Sequence, residues 1–153
     1  MKTMVSLVLA SALYLMTGNV LLAQSEVPPG AIQQAVEDHE WREAPASMPS
    51  GTMVLPLEGN IREEGLFTLR LRVPAGTRLE PHFHPKDERV TVLSGVVRVG
   101  FGENWEDGLM VEYAAGSFYL NPAESAHFVE IVEDCEIQLT GEGPWEIHYL
   151  EDH

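Results

Sequence analysis

An all-β sandwich or barrel is the fold class this sequence predicts, on three observations. Apolar residues recur with period two over many short runs, turn-forming residues separate the runs, and no long helical pattern lies between them. The clearest run is 65–73, where Phe67, Leu69, Leu71 and Val73 share one face and Thr68, Arg70 and Arg72 the other. Further strands are expected at 53–57, 89–93, 96–101, 110–113, 117–120, 126–132, 135–140 and 145–150. Pro74-Ala75-Gly76, Ser94-Gly95, residues 102–108, Ala115-Gly116, Asn121-Pro122 and residues 141–144 supply the turns.

The residues ahead of the strands read differently. Lys2 is followed by an uncharged stretch over 5–16, and the polar Thr17-Gly18-Asn19 interrupts it before Leu21-Leu22-Ala23. That layout predicts a secretory signal over 1–23, with Gln24 as the mature N-terminus and an exported, periplasmic or extracellular protein. A membrane anchor would need about 20 continuously apolar residues, and the run breaks too early. Residues 24–52 then read as an N-terminal arm. Within it 29–41 can hold a short helix, with Ile32, Val36 and His39 near one face, and 44–51 read as a turn-rich lead-in. The strand domain spans 53–150.

Charge and cysteine content exclude several function classes. The formal net charge is −15, and loss of Lys2 with the leader takes it to −16. No basic cluster offsets it, so nucleic acid and anionic lipid are excluded as partners and no membrane insertion is expected after cleavage. The single cysteine, Cys135, has no partner for an internal disulfide, and Val132, Ile137 and Leu139 around it predict a buried structural thiol.

Histidines carry the chemistry. His82 and His84 are two apart and share a face if their segment is extended, and Glu88 opens the next strand on the same phase. They lie in Gly76-Thr-Arg-Leu-Glu-Pro-His82-Phe-His84-Pro-Lys-Asp-Glu88-Arg-Val-Thr-Val-Leu-Ser-Gly95. This stretch resembles the first motif of the cupin superfamily: G, five residues, HxH, three or four residues, E, six residues, G. The second cupin motif, G, five residues, PxG, two residues, H, three residues, N, is similar to Gly116, Pro122 and His127 here. Glu124 stands at its second glycine and Ile131 at its asparagine, which leaves open the shape of the turn before His127. The resemblance implies a cupin, a jelly-roll-like double-stranded β-barrel with a short N-terminal arm.

The resemblance also implies a ligand set, His82, His84, Glu88 and His127, aimed into the barrel mouth around one divalent transition metal ion. Fe, Mn, Ni, Co, Cu and Zn all accept such nitrogen and oxygen donors. Taken singly, each residue has an ordinary reading as a loop histidine, a solvated charge or a half-buried strand histidine, and only their clustering argues for a site. Strand phase places Val90, Val92, Val97, Val99, Val129 and Ile131 with the ligands. Tyr119, Glu124, Gln138 and Arg70 are the polar residues that could reach the pocket, and no catalytic residue is identified beyond the candidates Tyr119, Glu124 and Gln138. Three neutral imidazoles and one carboxylate leave a divalent ion with net charge +1, which favours an anionic small-molecule ligand. Two function classes stay open: a metal-dependent enzyme of dioxygenase, decarboxylase or isomerase type, which is the favoured reading, and a non-catalytic small-molecule or metal-binding module. Leu93 and Phe128, on the face opposite the ligands, suggest a homodimer. The leader reading is checked by the mass of the exported protein, expected to begin at Gln24; full-length chain retained in the cytosol would refute it.

Overall fold

A computed structural model describes residues 27–150, so the leader read over 1–23 lies outside the described residues. The architecture below belongs to the unit that begins at Ile32. Its strands are β1 (Arg42–Glu43), β2 (Met53–Glu58), β3 (Gly65–Val73), β4 (Arg78–Phe83), β5 (Glu88–Ser94), β6 (Val96–Phe101), β7 (Val111–Ala114), β8 (Phe118–Asn121), β9 (His127–Ile131), β10 (Cys135–Gly143) and β11 (His148–Tyr149). They form a six-stranded sheet of order β1-β2-β3-β10-β5-β8 and a five-stranded sheet of order β11-β4-β9-β6-β7. All described pairings are antiparallel.

Period-two alternation decides what lies between the sheets. Phe67, Leu69, Leu71 and Val73 of β3 and Ile137 and Leu139 of β10 pack against Val97, Val99, Val129 and Ile131 of the opposite sheet, forming one apolar core. The intervening residues turn outward. Arg70 and Arg72 reach Glu136 at 3.3 and 3.0 Å, and Thr68 pairs with Thr140 across β10. Cys135 is buried and its thiol is pushed up to about 11 by that burial, as expected of a structural rather than a reactive cysteine.

Several expectations are corrected. The helix read over 29–41 is a single 3-10 turn, Val36–Asp38. Ile32 and Val36 remain 56% and 78% exposed, so no apolar face is buried to hold a longer helix. Part of the arm instead joins the sheet, where Arg42 and Glu43 pair with Val54 and Met53. The strand read over 145–150 is only β11, because the preceding residues leave the sheet to cross the barrel mouth. β4 was hidden in the sequence, since Arg78, Glu80, Pro81 and His82 leave it no apolar alternation.

Phe128 is also not a free surface residue. It is fully buried on the outer side of its sheet, under Trp105 from the β6–β7 connection, with ring centroids 5.0 Å apart. Beneath it lies Gly100, its cross-strand partner, whose missing side chain makes room for the ring: a Cβ there would overlap Phe128. Only Leu93 of the expected pair is left on the surface, at 38% exposure. Gly100→Ala should therefore cost about 1–3 kcal/mol through overpacking, read as a lowered urea midpoint at unchanged slope; unaltered stability would show that Phe128 has a second seat.

Candidate metal centre

One irregularity places the first histidine. In β4 Leu79 pairs with Val129 and His82 with His127, so three steps on β4 answer two on β9. The extra residue is a β-bulge, which returns His82 to the inner face that Leu79 already occupies. Pro81, lacking an N–H, sits in the bulge where ladder bonding is interrupted. His84 follows the end of β4, Glu88 is the first residue of β5, and His127 is the first residue of β9. All four meet at one end of the barrel, with Glu88 from one sheet facing histidines of the other.

The three imidazoles share one hydrogen-bonding pattern. Nδ1 of His82 donates to Glu80 O at 2.7 Å, that of His84 to Glu146 O at 2.8 Å, and that of His127 to Ser125 O at 3.0 Å. A carbonyl only accepts, so the proton is assigned to Nδ1 in each ring and Nε2 keeps its lone pair. The ligating atoms of these three residues lie within 4.8 Å of one another. Nε2 of His84 and of His127 is buried with no hydrogen-bond partner among the described residues. Two orphaned lone pairs in an apolar interior are costly unless something electrophilic meets them.

Glu88 completes the cluster. Its Oε2 lies 3.5 Å from His84 Nε2 and 3.8 Å from His127 Nε2, and it accepts a 2.7 Å hydrogen bond from Asn121 Nδ2. Donors roughly 2.1 Å from an ion stand about 3–4.2 Å apart, so these separations fit a shared divalent ion. Burial keeps His82 and His127 below the ordinary imidazole range, His82 at about 3. For Glu88 burial works upward, but it is overcome by the close approach of the His84 and His127 imidazoles and by the hydrogen bond from the Asn121 amide, which bring it down to about 2. Lone pairs on nitrogen beside an ionised carboxylate are the state in which such residues bind a cation.

Around the cluster the walls are apolar. Val90, Val129, Ile131 and Leu79 line a chamber of about 40 Å³, enough for an ion and a water or two. Val92, Val97 and Val99, expected beside the ligands, are buried deeper in the core.

Of the polar candidates, Tyr119 does line the chamber, and burial together with the Glu88 charge raises its phenol well above 10. The other candidates do not reach it. Gln138 lies on the outer face, where its Oε1 accepts from Arg70 Nε at 3.2 Å. Glu124 is exposed, with its N–H donating to His84 O at 2.8 Å and φ of 59°. It thus holds the left-handed turn that a glycine would favour, so the turn keeps its shape without one.

Asn121 and Trp145 went unrecognised in the sequence. Asn121 pairs directly with Glu88 across β5 and β8, and its phase with Tyr119 was the available signal. Trp145 stacks on His84 at 4.1 Å and 21°, a contact between segments about sixty residues apart that no local pattern announces.

Comparison with known proteins bears on this geometry. A family model described as the ChrR cupin-like domain matches residues 30–146. No curated protein matches the sequence. Among solved structures, an RmlC-like cupin from Ralstonia eutropha is 22% identical, with TM-score 0.60, covering 82% of this chain and 74% of its own. The polyketide cyclase RemF from Streptomyces resistomycificus is 16% identical, with TM-score 0.61, over 79% and 86%. An oxalate decarboxylase with Mn(II) centres from Bacillus subtilis is 17% identical, with TM-score 0.57, over 78% of this chain but 32% of that one. At such identities the likeness concerns the fold.

Acidification should expose the cost of the buried cluster. His82 stays neutral in the folded chain down to about 3, while its unfolded counterpart protonates near about 6.5. The unfolded state then binds more protons, and stability falls as pH drops through that window. Glu88, held at about 2 when folded, acts in the same direction at lower pH. Melts of the metal-free protein should fall in midpoint from pH 6.5 to 3.5, and H82Q should flatten the slope; a flat wild-type profile would contradict this account.

Proposed function

The chain belongs to the cupin family whose model is described as the ChrR cupin-like domain, and from that membership we propose that it is a metal-dependent enzyme acting on a small anionic molecule. Nε2 of His82, His84 and His127 and a Glu88 oxygen would hold one divalent transition metal ion. The observation that carries this reading is the convergence of three Nδ1-anchored imidazoles on a carboxylate, with two Nε2 atoms buried and unpartnered. Such an ion supplies Lewis-acid or redox chemistry at the coordination positions its protein ligands leave open.

The protein's own groups have defined tasks. Glu80, Ser125 and Glu146 carbonyls orient the rings, Asn121 holds the Glu88 carboxylate, and the valine and isoleucine walls keep bulk water away. Net charge +1 on the filled site would favour an anion. The export reading of the leader would put this activity outside the cytoplasm, and Leu93 with Phe118, which is 59% exposed, is the surface through which a homodimer would form.

A specific feature supports the second reading, a non-catalytic binding module. Apart from His82, His84 and Glu88, Tyr119 is the one ionisable group among the described residues on the chamber wall, and its raised pKa makes it a poor base. Oxygen uptake or turnover that depends on the metal separates enzyme from module.

Binding to the folded state alone should raise stability by about 2.7 kcal/mol at a hundredfold excess of metal over its dissociation constant. Elemental analysis should find one transition metal per chain. His127→Ala should remove most of the thermal shift, whereas His148→Ala, outside the cluster, should keep it. No stabilisation by any divalent ion at neutral pH would overturn the proposal.

A further inference from the structure

The chamber beside the histidines is too small for the body of a substrate, and a second cavity adjoins it. This vestibule has a volume of about 550 Å³ and shares Met48, Leu71, Leu139, Trp145 and Ile147 with the chamber wall. Its size is that of a site for a drug-sized molecule, far above the need of a two-carbon dianion. Val54, Ile61 and Leu69 extend the apolar lining, and the charged groups on it are Arg62 and Glu146.

These two charges differ in what they face. The Glu146 carboxylate is turned to His148, 3.5 Å from its Nε2. Arg62 has no ion-pair partner among the described residues, whereas Arg42, Arg70, Arg72, Arg78, Arg89 and Arg98 each have one. Its own backbone is fixed by a 3.0 Å bond from Arg62 N–H to Asn60 Oδ1. A second unmet group lies on the same wall: the Trp145 indole N–H is buried with no acceptor among the described residues. An uncommitted guanidinium and an unpaired indole donor on an otherwise apolar wall are recognition elements for an acceptor-bearing anion.

We propose that the vestibule binds a monocarboxylate with an apolar body, its carboxylate on Arg62, its body against Met48, Trp145 and Ile147, and its far end directed to the histidine cluster. This deepens the enzyme reading and rests on it only for the role of the far end. The carboxylate contact itself requires no metal. Small dianions such as oxalate, which lack the body, would gain little from the vestibule.

Calorimetric titration of the purified chain tests this, with 3-phenylpropanoate, its neutral amide and oxalate as probes, each with and without added metal. Expected is binding of 3-phenylpropanoate in both states, about tenfold weaker binding of the amide, and no metal-independent binding of oxalate. R62A should weaken 3-phenylpropanoate about tenfold and abolish the preference for acid over amide, while W145F, which keeps a ring and loses the donor, should cost several-fold. Equal affinity for acid and amide in the unaltered chain overturns the proposal without reliance on any variant. Binding seen only with metal overturns it as well, while leaving the metal reading in place; binding unaffected by metal, in a chain that also shows no thermal response to metal, supports the vestibule and removes the enzyme reading.

Discussion

Three imidazoles in an apolar interior must each dispose of an N–H, and the way they do so governs the mouth of this barrel. His82 and His127 solve it locally, each donating to the carbonyl two residues before it. His84 has no such neighbour and donates to Glu146, 62 residues away. That single bond makes the segment after β10 part of the centre. Trp145 then covers the His84 ring, and β11 pairs with Phe83 and His82 on β4, the strand that leads into His84. Release of this segment would free an N–H and uncover a ring in one event.

The β-sandwich pays for its polar centre with irregularities placed where the ligands need them. Strict alternation would send His82 outward if Leu79 faces inward; the β4 bulge reconciles the two. Glu124 accepts a left-handed backbone so that the chain can turn into His127 while donating to His84 O. On the far side of the same sheet, Gly100 yields its side-chain space to Phe128, so β9 is anchored by an aromatic ring behind the face that presents His127. Rigid backing of this kind fixes the first residue of a strand, which would otherwise fray.

Electrostatics separates the interior from the surface. Outside, arginines and acids pair in partly exposed networks such as Arg78 and Arg98 on Glu130, which contribute modestly. Inside, the carboxylate of Glu88 is held ionised by its neighbours and the imidazoles of His82 and His127 are held neutral by burial, a division that suits a cation and little else. The body of any ligand is left to the vestibule, whose walls come from the lead-in before β2, from β3 and β10, and from the segment around Trp145.

Sequence alone determined the all-β class, the apolar face of β3, and the proximity of His82, His84 and Glu88, because strand period and short spacing are local properties of the chain. It also singled out His127 through its place in a motif. Only the tertiary structure decided that Tyr119 faces the chamber while Gln138 and Glu124 do not, since a bulge or a left-handed turn changes phase without marking composition. The same holds for Asn121 on Glu88, 33 residues apart, and for Trp145 and Glu146 on His84. Such partners are chosen by how two sheets and a crossing segment pack. No window of sequence contains both members of the contact.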